Sequence, residues 1–310
     1  MRAALKLFGR SRRRNLLGSS SVDIPESLGP PPAGEPPLQL AVATVIRNER
    51  PYLREWLLFQ KLVGAGLVLL YDNDSTDGFE DDIADLVRSG FVRIVPWPNF
   101  SAKVNFQSLA IAHAIALMRG RAKWLAILDV DEFLFSPVER DLPTLLGDYA
   151  DLPALIVPWV SYGTSGHRTP PGGLVTENFI TREASRDDVS NRYKSIVQPR
   201  RVHQVRGAHS CLTDLPKIVG FSEHRVARTL RDEEAYGPFP VPVRLRINHY
   251  YSRSRQEFET KLATGWSRYK PDLVATKRQF LADIERHEIE DRSIDPLVPE
   301  LKRMMAEHPR

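Results

Sequence analysis

The feature that most restricts the fold is an alternation between residues 38 and 128. Short apolar runs rich in β-branched residues are each followed by a polar turn and then by a helical pattern. Leu40 to Ile46 reads as a buried strand leading into Arg47-Asn48-Glu49-Arg50-Pro51. Pro51 suits the first turn of a helix, which Leu53, Trp56, Leu57 and Gln60 to Val63 continue until Gly64 and Gly66 stop it. Leu67 to Tyr71 forms the next strand and ends in Asp72-Asn73-Asp74-Ser75-Thr76-Asp77-Gly78, after which Phe79 to Arg88 has helical spacing. Phe91 to Val95 gives a strand. Val104 to Met118 gives a helix with Phe106, Leu109, Ala110, His113 and Leu117 on one side, and Lys123 to Leu128 a further strand. Such alternation builds parallel βαβ units, hence an α/β fold with a Rossmann-like, mostly parallel sheet flanked by helices.

An open sheet of this kind binds ligands at the carboxyl ends of its strands, so the turns after Ile46, Tyr71 and Leu128 should meet at one crevice. All three carry polar clusters, and the third is Asp129-Val130-Asp131-Glu132. Ionised carboxylates at the end of a buried strand need a cation, a basic partner or water. Hard oxygen ligands at this spacing suit Mg²⁺ or Mn²⁺, which would in turn hold a diphosphate; a solvated loop is the plain alternative. Asp72 to Asp77 is equally readable as an Asx-rich turn. It is not an EF-hand, because Asp77 stands at the glycine position and Ile83 at the glutamate position.

No apolar run approaches the roughly 20 residues of a membrane-spanning helix. The single cysteine, Cys211, permits no intramolecular disulfide, which suits a reducing, cytoplasmic compartment. Six of the 43 basic residues, Arg2, Lys6, Arg10, Arg12, Arg13 and Arg14, precede the first acid, leaving 37 against 39 acidic residues. The body is therefore nearly neutral, which argues against nucleic acid as a partner. Residues 1 to 17 are read as a basic arm: a disordered solvated tail, a targeting peptide, or a peripheral contact at the inner face of a membrane. The Ser-, Gly- and Pro-rich stretch from Gly18 to Pro37 reads as a disordered linker. The folded body is expected from 38 to 270, with a helical extension from 271 to 310. Helices are expected at Arg255 to Thr264, Lys277 to His287 and Pro299 to Ala306, with a polar stretch from Glu288 that packs or frays.

Val45-Ile46-Arg47-Asn48-Glu49 with Tyr52-Leu53 and Glu55-Trp56, Tyr71 to Gly78, and Leu128-Asp129-Val130-Asp131-Glu132-Phe133 together resemble glycosyltransferase family 92 and related family-2-like enzymes. The resemblance continues through Tyr162 to His167, Lys194 to Pro199, His209 and Ile247 to Ser252, covering roughly residues 41 to 270. It implies a GT-A fold and an inverting transfer from a nucleotide-diphosphate sugar, most readily a UDP-sugar, with Mn²⁺ or Mg²⁺. A glycan or lipid-linked acceptor is the expected second substrate. Arg47 stands where the family often has lysine and Gln60 where it often has histidine, which bears on donor preference.

Under this resemblance Asp129 and Asp131 bridge metal and diphosphate, and His249, delivered by a strand over Arg244 to Ile247, is the third metal ligand, with His209 as an alternative. A core histidine is the plain reading of His249. Asn48, Glu49 and Asp72 would line the donor pocket. Lys194, with Arg253 as an alternative, would neutralise the leaving diphosphate, or else Lys194 caps a strand edge. Glu177, placed on a short strand by the alternation of Leu174 to Phe179, is the candidate general base, with Asp187, Asp188 and Glu223 as alternatives. Trp159 and Tyr162 are candidates to stack on a sugar. Glu132 supports the loop or the ligands. Two rivals stand beside this: a haloacid-dehalogenase-like phosphatase using Asp72, and a nucleotide-sugar-binding module without catalysis.

Overall fold

The structure is a computed structural model that describes residues 21–25, 33–98, 105–184, 192–230, 242–264 and 271–307. Ten strands form the main sheet. They are β1 (Leu38–Ile46), β2 (Leu67–Asp72), β3 (Val92–Pro96), β4 (Ala122–Ile127), β5 (Glu132–Phe135), β6 (Ala154–Ser161), β7 (Tyr193–Val197), β8 (Ile218–Phe221), β9 (Ala227–Thr229) and β10 (Arg246–His249). The order is β9-β8-β6-β7-β4-β1-β2-β3, and β10 pairs with β5 and β6. The four strands of the sequence alternation run parallel, with β1 between β2 and β4. The sheet then turns mixed, because β7 enters antiparallel between β4 and β6.

Alternation along β1, β2 and β4 sorts their side chains onto two faces. Leu40, Val42, Val68, Leu70, Trp124 and Ala126 join the larger core beneath α1 (Arg50–Leu62). Ala41, Ala43, Leu69, Tyr71, Leu125 and Ile127 face α2 (Phe106–Met118). The buried stripe of α2 is rotated from the expected one. Ala110, Ile111, Ala114, Ile115 and Met118 are inside, while His113 is exposed. The alanines let the helix backbone lie close to the sheet. Gly64 ends α1 at φ +98, where a Cβ would stand 2.6 Å from both Asp141 Oδ1 and Pro143 Cδ.

Several expectations are corrected. Phe79 to Arg88 is two short helices, Phe79–Asp82 and Ala84–Arg88, broken at Ile83 with φ −123. Leu174 to Phe179 is not a strand but a helical turn, Val175–Asn178, whose first amides donate to the buried carboxylate of Glu55. The linker is ordered in part: Ser21–Asp23 pairs antiparallel with the strand Val202–Arg206, and Ile24 is buried. Apolar Val22 and Ile24 supply that anchor. The basic arm and Asp187-Asp188 lie outside the described residues.

Among the described residues, three α-helices follow β10: α3 (Arg255–Thr264), α4 (Pro271–Arg286) and α5 (Val298–Glu307). The polar stretch after α4 packs rather than frays. Glu288–Glu290 pairs with Thr181–Glu183, and α5 lies against α1 with Ile294, Leu297 and Leu301 in the main core.

Candidate active site

The turns after β1 and β2 are tied together. The Asn48 amide donates to Ser75 Oγ (3.0 Å), the Thr76 amide donates to Asn48 Oδ1 (2.7 Å), and the Arg50 amide donates to Asp77 Oδ2 (2.8 Å). Asn48 accepts the left-handed φ of 57 that this turn needs, as asparagine does more readily than most residues. Asp72 Oδ1 accepts the Ser75 amide at 3.0 Å, so part of this acidic stretch is turn chemistry. Glu49 precedes α1 and pairs with Arg253 at 3.2 Å, whose guanidinium lies 3.6 Å over the Tyr52 ring. Burial raises the Glu49 pKa and Arg253 opposes the rise.

After β4 the chain makes one tight turn, with the Glu132 amide donating to the Asp129 carbonyl (3.0 Å), and returns as β5. Glu132 Oε2 accepts the Asp129 amide at 2.9 Å, and Trp56 Nε1 donates to the Glu132 carbonyl at 2.8 Å. The register of β10 on β5 sets His249 directly opposite Glu132, and the Tyr250 amide donates to the Asp131 carbonyl at 2.8 Å. This cross-strand pairing brings together Asp131, Glu132 and His249, each offering a ligand atom, all within 4.8 Å of one another. Their chemistry fits a divalent ion: two carboxylates and an imidazole suit Mn²⁺, and Mg²⁺ less well. His249 Nε2 lies 3.6 Å from Asp131 Oδ1, and Glu132 Oε1 and His249 Nδ1 are both buried without a hydrogen-bond partner among the described residues.

Asp129 is placed differently from Asp131. Its carboxylate is 37% exposed and takes the Lys194 ammonium at 2.7 Å, with Gln107 Nε2 at 3.5 Å. Asp129 also lines a small hollow, with room for about one water, together with Thr44, Val45, Tyr71, Gln107 and Ile111, where β1 and β4 adjoin. Lys194 is fully buried on β7 and also lies 3.4 Å from Glu132 Oε2. Burial works against its charge, but Asp129 and Glu132 outweigh that and raise the pKa above the ordinary lysine value. Burial lifts Glu132 well above the usual carboxylate range despite Lys194. Asp131 is also buried, yet Lys261 and His249 hold it well below that range. Burial lowers the His249 pKa against the opposing pull of Asp131, which favours the neutral form that ligation requires.

The aromatic candidates serve as supports. Trp159 is 6% exposed and packs on His249 with ring centroids 4.2 Å apart, while Tyr162 is fully buried and takes Arg246 on its hydroxyl at 3.2 Å. Neither offers an open face to a sugar. His209 lies behind Trp159, with Nδ1 3.0 Å from the Tyr193 carbonyl, and burial, with Lys194, lowers its pKa to about 4. Glu177 is exposed on its helical turn and pairs with Lys302 of α5 at 2.5 Å; it makes no contact with the cluster among the described residues. Glu223 accepts the amides of Val243, Arg244 and Leu245 and so holds the approach to β10.

Sequence reasoning missed Lys261, on α3, whose ammonium is 2.7 Å from Asp131 Oδ2, and Lys277 on α4 beside it. The available signal was slight: Lys261 precedes Leu262, one of the two buried residues of α3.

Fold and site together define an α/β protein of the class that holds its ligand at the carboxyl edge of a parallel sheet. More particularly, the chain belongs to glycosyltransferase family 92, whose sequence pattern it matches over residues 37–304. A family 92 protein of Ricinus communis is 28% identical over 177 residues, which is 55% of this chain and 30% of that protein. One of Oryza sativa is 32% identical over 166 residues, 52% of this chain and 27% of that protein. The chain thus spans well under half the length of these relatives. Among solved structures, Staphylococcus aureus TarS with UDP aligns at a TM-score of 0.33 and 14% identity over 52% of this chain and 47% of that one. Glucosyl-3-phosphoglycerate synthase of Mycobacterium tuberculosis with Mn²⁺, UDP and glucosyl-3-phosphoglycerate aligns at 0.26 and 15% over 41% and 45%. Among the described residues no helix is long and apolar enough to cross a membrane.

Proposed function

We propose that the chain is an inverting, metal-dependent glycosyltransferase that moves a sugar from a nucleotide-diphosphate sugar, foremost a UDP-sugar, to a hydroxyl of a glycan or lipid-linked acceptor. The observation that carries this is the convergence of Asp131, Glu132 and His249 beside Asp129, in a chain of family 92. Asp131, Glu132 and His249 would hold the divalent ion, whose chemistry is neutralisation of the departing diphosphate. Asp129, partly exposed, serves as the donor-binding carboxylate, with Lys194 fixing its rotamer. Asn48 and Asp72 shape the rim where base and ribose would lie, and Glu49 sits between that rim and Arg253.

An inverting transfer also needs a base for the acceptor hydroxyl. Glu177 takes that role only by giving up Lys302; Glu49 is likewise paired, with Arg253, but lies beside the Asp131 cluster with its proton affinity raised by burial. Glu177→Gln and Glu49→Gln separate the two: the variant that loses turnover while retaining UDP affinity marks the base. Family membership removes the phosphatase reading of Asp72. The overall test is nucleoside diphosphate release from a panel of UDP- and GDP-sugars with Mn²⁺ and candidate acceptors. Asp131→Asn is expected to lower release by about 100-fold or more. Consumption of no donor by the unaltered chain refutes the transferase; nucleotide binding without turnover identifies a binding module.

A further inference from the structure

Two lysines from the helices after β10 meet over one aromatic ring. Lys261 Nζ stands 5.1 Å from the centroid of Tyr251, and Lys277 Nζ stands 5.7 Å from it. Lys261 reaches past the ring to Asp131 Oδ2 at 2.7 Å and to the Tyr251 carbonyl at 3.4 Å. Lys277 has no carboxylate within ion-pair distance among the described residues. Lys261 alone is paired with Asp131, and Lys277 stands beside the same ring as a second ammonium, near the cluster that would hold a metal.

The arrangement conflicts with metal binding as it stands. A dication on Asp131 repels an ammonium held on the same carboxylate, and their mutual distance is too short for water to screen them fully. Lys194 has no freedom to relieve the conflict, since its side chain is 1% exposed between Asp129 and Glu132. Lys261 does, since its side chain is 47% exposed and swings on a four-carbon stem. Released from Asp131, it remains beside Lys277 and the Tyr251 face, a paired positive site suited to a diphosphate.

We propose that Lys261 is the resident counter-ion of Asp131, exchanged from that carboxylate to the donor's diphosphate when a divalent ion binds, with Lys277 as the second ammonium of the same phosphate-holding pair. The identity of the anion rests on the transferase reading above; the exchange at Asp131 does not. The device makes metal and nucleotide bind cooperatively. Metal alone must displace a lysine that then lacks a partner, whereas metal with a diphosphate gives that lysine a new one.

The test uses the full chain, with Mn²⁺ affinity read by electron paramagnetic resonance and UDP affinity by calorimetry. Relative to the unaltered chain, Lys261→Met should bind Mn²⁺ alone about fivefold more tightly, because a competing ion pair is gone. It should bind UDP in saturating Mn²⁺ about tenfold more weakly, because a charge-assisted bond to phosphate is lost. Lys277→Met should leave Mn²⁺ affinity within about twofold and weaken UDP by a similar factor. A circular dichroism melt verifies that each variant is folded. Unchanged or weaker Mn²⁺ binding by folded Lys261→Met overturns the exchange, and unchanged UDP binding in both variants overturns the phosphate pair. If the unaltered chain binds Mn²⁺ but not UDP, the nucleotide-sugar reading and the phosphate pair fail, while the Mn²⁺ comparison still decides the exchange. If it binds no Mn²⁺, the exchange fails as well.

Discussion

Lys194→Met is the perturbation that most directly tests how the site is held together. The Lys194 ammonium is buried between Asp129, 2.7 Å away and 37% exposed, and Glu132, 3.4 Å away and fully buried. Methionine fills much the same volume but leaves both carboxylates without that cation. Asp129 can recover water at its exposed edge; Glu132 cannot, so most of the loss falls on Glu132. Removing one partner of a buried pair costs about 3–5 kcal/mol, and this variant is expected in that range by urea denaturation at neutral pH. Adding Glu132→Gln removes the stranded charge, so the double variant should recover about 2 kcal/mol or more. The pH dependence has a definite sign. Burial already gives Glu132 a higher proton affinity folded than unfolded, and loss of Lys194 increases the difference. Folding then takes up a proton, so the deficit of Lys194→Met should shrink as pH falls from 7 to 5. A cost below about 1 kcal/mol, or a double variant whose cost is the sum of the singles, would refute this account.

Two other perturbations probe what frames the site. Asp291 accepts Arg182 Nε at 2.5 Å and Arg246 Nη1 at 3.1 Å, so Asp291→Ala strands two largely buried guanidinium groups and should cost about 3 kcal/mol in thermal unfolding. Burial pushes the Asp291 pKa up, but Ser293, Arg182 and Arg246 outweigh it and hold the carboxyl well below the ordinary value of 3.8. Its contribution should therefore be complete at neutral pH and fade as pH falls through and below 3.8, the variant and the unaltered chain converging in acid. Glu55→Ala leaves the buried amides of Val175 and Thr176 without their acceptor and should lower stability by about 2 kcal/mol. Hydrogen exchange should rise first at those two amides; uniform protection there would count against the role.

The parallel half of the sheet was legible because β-branched runs, helix stops and polar turns agree at every step from Leu38 to Leu128. The polar strand ends were legible too, since carboxylates so close to a buried strand require a physical reason. Partition among those carboxylates was not. Which of Asp129, Asp131 and Glu132 faces the histidine depends on the register of β10 against β5, fixed by pairing between residues over a hundred positions apart. Lys261 was hidden for another reason: a lysine on a helix surface is ordinarily solvated, and only the position of α3 beside Asp131 makes it otherwise. Glu177 was misread because six residues are too few for periodicity to separate a strand from a helical turn, and the deciding partner, Glu55, comes from α1.

The position of β10 also dictates when the site comes into being. Its strand is inserted between β5 and β6, and the helix bearing Lys261 follows it in sequence. On a ribosome adding roughly 5–20 residues per second, Asp131 emerges on the order of ten seconds before His249 can reach it. Through that interval the nascent sheet carries an unfilled slot lined by the free edges of β5 and β6, where a foreign strand could pair. A stalled or truncated product lacking residues 246–249 would lack the register that creates the cluster. Metal affinity would then report completion of the chain, not merely its collapse.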